Sequence, residues 1–181
     1  MLKRLLALLL LALPVAAPAQ GGPTVVILVR HAEKGTTPAN DPPLTEAGKA
    51  RADALAAALA DANVQAVITT QLARTRETGR PLAEARHLTP EVVAAGGSGH
   101  AHAVAEAVRR HAGQTVLVVG HSNTVPAIIA ALGGPTLPDL CDSQYSNLFT
   151  LVLDGSSARL VRGSYGAASP DPATTCGNPI R

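Results

Sequence analysis

Three places in this chain set histidine or arginine shortly after a strongly apolar run. Arg30-His31 follow "TVVILV", Gly120-His121 follow "TVLVVG", and Arg74 stands just beyond "VQAVITT" in the stretch "QLARTRETGR". Arginine offers planar, charge-assisted bonds that match the oxygens of a phosphoryl group. A neutral imidazole is a competent nucleophile toward phosphorus, and a second imidazole can donate to oxygens on which charge develops. Two arginines and two histidines brought together would therefore suit a dianionic phosphoryl group. A helix beginning near Ser122 and Asn123 would add free backbone N–H groups as substrate-binding donors. Positioning and charge stabilisation of this kind dominate phosphoryl transfer. No Walker-type loop is present, and no spacing of metal ligands, so no metal site is expected.

Whether these residues meet depends on the elements that carry them. "TVVILV" (24–29) is short, β-branched and continuously apolar, as a strand covered on both faces should be. "VQAVITT" and "TVLVVGH" read as two more buried strands. "LTEAGKARADALAAALADA" places Leu44, Ala47, Leu55, Ala58, Leu59 and Ala62 at helical spacing, with Thr45 as N-cap. "LARTRETGRPLAEAR" is helical with a bend or restart expected at Gly79 and Pro81. "VVAAGGSGHAHA" reads as a glycine-rich loop and "AVAEAVRRHA" as an amphipathic helix. "TVPAIIAAL" is a helix with Pro126 in its first turn. "NLFTLVLDGSSARLVRGSY" has the grammar of two strands joined through Asp154-Gly155-Ser156-Ser157. Alternating strands and helices with a closing hairpin predict an α/β fold. The expectation is a single three-layer domain with a mainly parallel central sheet, helices on both faces and antiparallel C-terminal edge strands. Ligands of such sheets bind at the carboxyl ends of the strands, where all three basic segments are delivered.

Four stretches, "LVRHAEK", "PLTEAGKARADAL", "VITTQLARTRETGRPLAE" and "VLVVGHSNTVPAII", occur in that order. Together they resemble the histidine phosphatase superfamily in its phosphoglycerate mutase-like branch, across roughly residues 24 to 165. The resemblance implies a metal-independent phosphomonoester hydrolase that needs no cofactor and forms a phosphohistidine on a small phosphorylated substrate. It implies His31 as the nucleophile, Arg30 and Arg74 as phosphate-binding arginines and His121 as the second pocket histidine. Thr45 and Gly48 match the opening of the first helix, with Arg51 after them. Arg74 is preferred to its neighbours because Thr78 stands four residues on, as in the family pattern. Arg76 falls on a different helix face, and Arg80–Glu84 makes a surface pair. His87, His100, His102 and His111 are expected to be solvated or in loops. The sequence departs from the family at the general acid, for which Glu91 and Glu33 are the candidates, with Glu106 further along a helix. Ala32 also replaces the glycine common after the nucleophile.

A mutase is the neighbouring enzymatic reading, set aside because glycolytic intermediates are not expected outside the cytoplasm. A non-catalytic phosphoryl-binding or interaction protein on the same fold is the alternative outside enzymology, motivated by the missing acid. A metal site of His31, Glu33 and His121 is a third, against which the adjacent cationic arginines argue.

The outside-the-cytoplasm argument comes from residues 1–19. Lys3 and Arg4, then "LLALLLLALPVAA", then Ala17-Pro18-Ala19, have the order of a secretory signal peptide, which predicts a periplasmic or secreted protein. Cleavage would leave 20–181, with a core over about 24–165 and an irregular tail at 166–181. Of 15 basic residues Lys3 and Arg4 would leave with the signal, so 13 face 13 acidic ones. A formally neutral chain with no Trp and one Phe lacks the electrostatic and stacking character of a nucleic-acid binder. No later apolar run reaches the roughly 20 residues of a membrane span, so no stable anchor is expected after cleavage. Cys141 and Cys176, in an oxidising compartment, are expected to pair. The substrate would be shaped by the loops at 35–43, 88–100 and 133–146.

Overall fold

The computed structural model describes residues 22–170; the signal segment 1–19, Cys176 and the end of the tail lie outside the described residues. Ten elements follow in the order β1 (Thr24–Arg30), α1 (Glu46–Ala58), β2 (Val64–Thr69), α2 (Ala73–Ala85), β3 (Glu91–Val92), α3 (His100–Arg109), β4 (Thr115–Gly120), α4 (Thr124–Ala131), β5 (Asn147–Asp154) and β6 (Ser157–Ser164). They build one six-stranded sheet in the order β3-β2-β4-β1-β5-β6. The first four of these strands run parallel, and β5 and β6 are antiparallel at one edge. β1 and β4 lie side by side in register, so Arg30 pairs with Gly120 and the two basic strand ends become neighbours.

Alternation along β1 explains its unbroken apolar run. Val26 and Leu28 pack with Val104 and Val108 of α3 and Ile128 and Ile129 of α4. Ile27 and Val29 pack on the other face with Leu55 of α1, Leu82 of α2 and Tyr165. A strand covered on both sides has no polar face to show. The hairpin strands differ, because β6 forms the sheet's edge and most of its residues are exposed.

Three local expectations need correction. In α1 the buried face is Gly48, Arg51, Ala52 and Leu55, whereas Ala47 and Ala58 are exposed. Alanine at helical spacing cannot mark a face when half the helix is alanine. No restart occurs at Gly79 and Pro81, and α2 is continuous with Pro81 inside it. Gly79 marks close packing on the sheet instead, since a Cβ there would come within 3.2 Å of Val67 Cγ1. The glycine-rich stretch after "VV" is shorter than expected: α3 already begins at His100, which is buried. The two-residue strand β3, parallel to β2, was not legible as a strand at all.

Candidate active site

The carboxyl ends of β1, β2 and β4 converge on a pocket of about 380 Å³. Arg30, His31, Arg74 and His121 line it, as do Ser122, Asn123 and Thr124 at the start of α4. All six residues expected at the phosphoryl site therefore stand together. Gly120 lets α4 begin this close to β4, because a Cβ there would meet Thr124 Oγ1 and Val125 Cγ2, each at 3.0 Å. Thr124 then accepts the His121 backbone N–H at 2.9 Å.

His31 is 3 % exposed and its Nδ1 lies 2.8 Å from the carbonyl of Ala32. A carbonyl only accepts, so Nδ1 carries the hydrogen and Nε2 keeps its lone pair. Burial, together with the nearby charges of Arg30, His121 and Arg74, pushes the His31 pKa down to about 3 despite the opposing hydrogen bond to Ala32. His121 stands edge-to-face with His31, ring centroids 5.4 Å apart. Its Nε2 is 3.3 Å from Thr70 Oγ1, and burial first, then Arg74, pushes its pKa down to about 4. At neutral pH both rings are uncharged, the state a nucleophile needs.

The arginines are held from behind. Arg30 is 4 % exposed. Its Nη1 donates to the backbone carbonyls of Cys141 at 2.8 Å, Asp142 at 2.9 Å and Gln144 at 3.4 Å, and its guanidinium lies 4.3 Å over the Tyr145 ring. Its Nη2 reaches Asp142 Oδ1 at 3.3 Å, while its Nε is buried without a hydrogen-bond partner. Arg74 Nε is buried and unpartnered in the same way. Buried donors on cations are nearly always satisfied, so two orphaned arginine N–H groups at one pocket point to an anion. Arg74 sits in the first turn of α2, where Asp41 accepts the Ala73 N–H at 2.8 Å and lies 3.9 Å from Arg74 Nη1. Through Asp41 the 35–43 loop reaches the site without lining it. Thr78 ties α2 to the end of β1: it accepts the Ala32 N–H at 2.9 Å and donates to the Arg74 carbonyl, one turn back in its own helix, at 2.7 Å.

Neither glutamate expected as general acid lines the pocket. Glu33 grips Arg51, with Nε donating at 3.0 and 2.9 Å to its two oxygens and Nη2 at 2.8 Å. Burial alone would raise its pKa, but the Arg51 bonds outweigh that and hold the carboxyl below its usual value. Glu33 is thus fixed as an anion, and it is not available to a metal with His31 and His121. Glu91 pairs with Arg110 and, at 3.4 Å, with His111. From this segment Ala95 and Gly96 line the pocket. The remaining expected surface groups divide. Arg80–Glu84 is an exposed pair at 3.9 Å and His102 is exposed, whereas His100 is buried and its Nδ1 donates to the Ala94 carbonyl at 2.9 Å. Cys141 is disulfide-bonded, and Cys176, its expected partner, lies outside the described residues.

Two charged pocket residues escaped the sequence reading. Lys34, three residues after His31, stands in the motif itself. Asp142 comes from the 133–146 loop, whose Gly, Pro and Ala content concealed it, although its place beside a cysteine could have drawn notice.

Comparison with known proteins agrees with this fold. The model of the histidine phosphatase superfamily, branch 1, matches residues 26–95. The structure of the protein histidine phosphatase SixA complexed with tungstate superposes with a TM-score of 0.63 at 21% identity, over 77% of this chain and 96% of that one. YhfR of Bacillus stearothermophilus gives 0.62 at 20% identity, over 76% and 95%. A mycobacterial glucosyl-3-phosphoglycerate phosphatase gives 0.59 at 17% identity, over 80% and 99%. No curated protein matches the chain in sequence. At such identities the structures carry the fold and not the substrate.

Proposed function

We propose that the chain, whose residues 26–95 match the model of the histidine phosphatase superfamily, is a member of that superfamily and a phosphomonoester hydrolase acting through a phosphohistidine on His31. The observation that carries the reading is the state of His31: a buried imidazole with Nδ1–H tied to a carbonyl and Nε2 free, flanked by two arginines with orphaned donors. The phosphoryl group lies against Arg30, Arg74, His121 and the start of α4. Nε2 attacks phosphorus, the bond to the ester oxygen breaks, and the alcohol leaves. Water then attacks the phosphohistidine, releasing phosphate and returning the neutral ring. The arginines and His121 hold the oxygens on which charge gathers in both steps. The substrate is a small phosphorylated molecule, and the reading requires no metal or cofactor. The order of residues 1–19 and the disulfide-bonded Cys141 support action in the periplasm or outside the cell.

The test is hydrolysis of p-nitrophenyl phosphate in EDTA by residues 20–181 and the His31→Ala variant. Activity lost in the variant by at least about 10³-fold is the expected result, given the scale of nucleophile removal. Equal rates in both proteins would refute His31 as nucleophile. Absence of wild-type turnover from acidic to neutral pH would favour a phosphoryl-binding protein.

A further inference from the structure

With Glu33 and Glu91 both committed to ion pairs, the proton required by an alcohol leaving group has to come from elsewhere. Among the described residues Asp142 is the carboxylate that lines the pocket. We propose that Asp142 is the general acid of this site, delivering the proton to the leaving oxygen from the pocket mouth. The role rests on the phosphatase reading above.

The argument is positional. In-line displacement sets the leaving oxygen on the side of phosphorus opposite His31 Nε2. His31 forms the floor, being 3 % exposed, so the leaving group points outward. The Asp142 side chain is 97 % exposed, and it pairs with Arg30 Nη2 at 3.3 Å. Arg30 Nη1 is taken up by loop carbonyls, so an arriving phosphoryl group takes Nε and Nη2 and displaces Asp142 from Nη2. A monoanionic phosphomonoester arrives carrying one proton. Asp142 relays that proton to the ester oxygen as the P–O bond breaks, so the transferred group keeps its dianionic charge on the arginines. As Nε2 forms its bond to phosphorus, the ester P–O pair moves to oxygen and takes the Asp142 proton, releasing the alcohol. The Asp142 carboxylate then removes a proton from the water that attacks the phosphohistidine, and the pair of the N–P bond returns to Nε2.

A general acid matters in proportion to how badly the leaving group needs a proton. The experiment therefore measures kcat and KM of wild type, Asp142→Asn and Asp142→Glu on p-nitrophenyl phosphate and on glycerol phosphate, with inorganic phosphate binding as the check on pocket integrity. The expected loss in Asp142→Asn is about 100-fold greater on glycerol phosphate than on the aryl ester, with part restored in Asp142→Glu. Equal changes on both substrates would overturn the proposal. So would a common fall in KM with kcat retained, which would mark Asp142 as a mere competitor for Arg30. A wild type that turns over neither ester would remove the phosphatase reading and this role together, whereas loss on the alkyl ester alone separates the two.

Discussion

Arg30 shows how one side chain can be fixed and still present a binding edge. Its guanidinium has two usable edges. Nη1 is consumed by the carbonyls of Cys141, Asp142 and Gln144, whereas Nε is without a hydrogen-bond partner and Nη2 meets Asp142 Oδ1. Lysine has no such division: its single ammonium either satisfies the carbonyls or faces the ligand. Arg30→Lys should therefore lower kcat/KM by roughly 10²–10³-fold, about 3–4 kcal/mol of transition-state stabilisation, although charge is conserved. Steady-state kinetics on p-nitrophenyl phosphate decide it, and a loss under about fivefold would mean that charge alone is enough. Arg30, His31, Arg74 and His121 were legible because each ends or follows a strand or opens a helix, where one-dimensional order and three-dimensional convergence coincide. Asp142 was not legible, since it enters from a loop whose path depends on contacts more than 100 residues from Arg30.

Between β1 and α1 the chain uses a staple that the pocket itself does not contain. The loop leaving His31 returns at Thr45, whose N–H donates to the Glu33 carbonyl at 2.9 Å while its hydroxyl caps Gly48 N at 3.1 Å. Gly48 has to be glycine here, since a Cβ would stand 2.2 Å from the Glu33 carbonyl oxygen. Arg51, one turn on, takes the Glu33 carboxylate with one side of its guanidinium. With Nη1 it donates to the Tyr165 and Ala167 carbonyls at 3.2 and 2.8 Å. The motif "LTEAGKAR" thus encodes a junction of strand end, helix start and tail. Its Glu33 partner looked like an acid from spacing alone, because a sequence shows that a carboxylate is near a nucleophile but not which way it turns. Glu33→Gln should destabilise the fold by about 2–3 kcal/mol, less than a fully buried pair because Glu33 keeps 25 % of its side chain exposed. Urea unfolding at pH 7 measures it. Survival of wild-type stability would show that Arg51 is satisfied by the tail carbonyls alone. The same limit explains the two misread helices: alanine-rich α1 hides its buried face, and α2 keeps Pro81 because its packing on the sheet outweighs one missing backbone bond.

Across the whole molecule, the sheet sends chemistry to one end only. A larger cleft of about 680 Å³ lies by the amino end of β1 and the β5–β6 turn, yet it gathers none of the convergent histidines. The smaller pocket at the carboxyl ends of the parallel strands is the one built for ligand, as the topology requires. That concentration has a thermodynamic consequence for the entire fold. His31 and His121 are buried neutral, with pKa values pushed down to about 3 and about 4 from 6.5. The unfolded chain takes up a proton at each near pH 6.5, whereas the folded chain does not until far lower. The unfolded state then binds more protons through this window, and stability falls as pH drops. Each histidine contributes about 1.4 kcal/mol per pH unit, from just below 6.5 until its folded value is reached. Glu33 acts with the same sign at a lower pH: its folded value is depressed, so its contribution is present above its unfolded value of 4.5 and fades as pH falls through the folded one. Urea midpoints at pH 7, 6, 5 and 4.5 should therefore decline before carboxylates titrate, and His31→Asn should flatten that decline by about one proton's worth. A wild-type midpoint constant from pH 7 to 5 would contradict the buried neutral pair. Within the proposed function, the instability is the counterpart of catalysis: the burial that denies His31 a proton leaves Nε2 free to attack phosphorus.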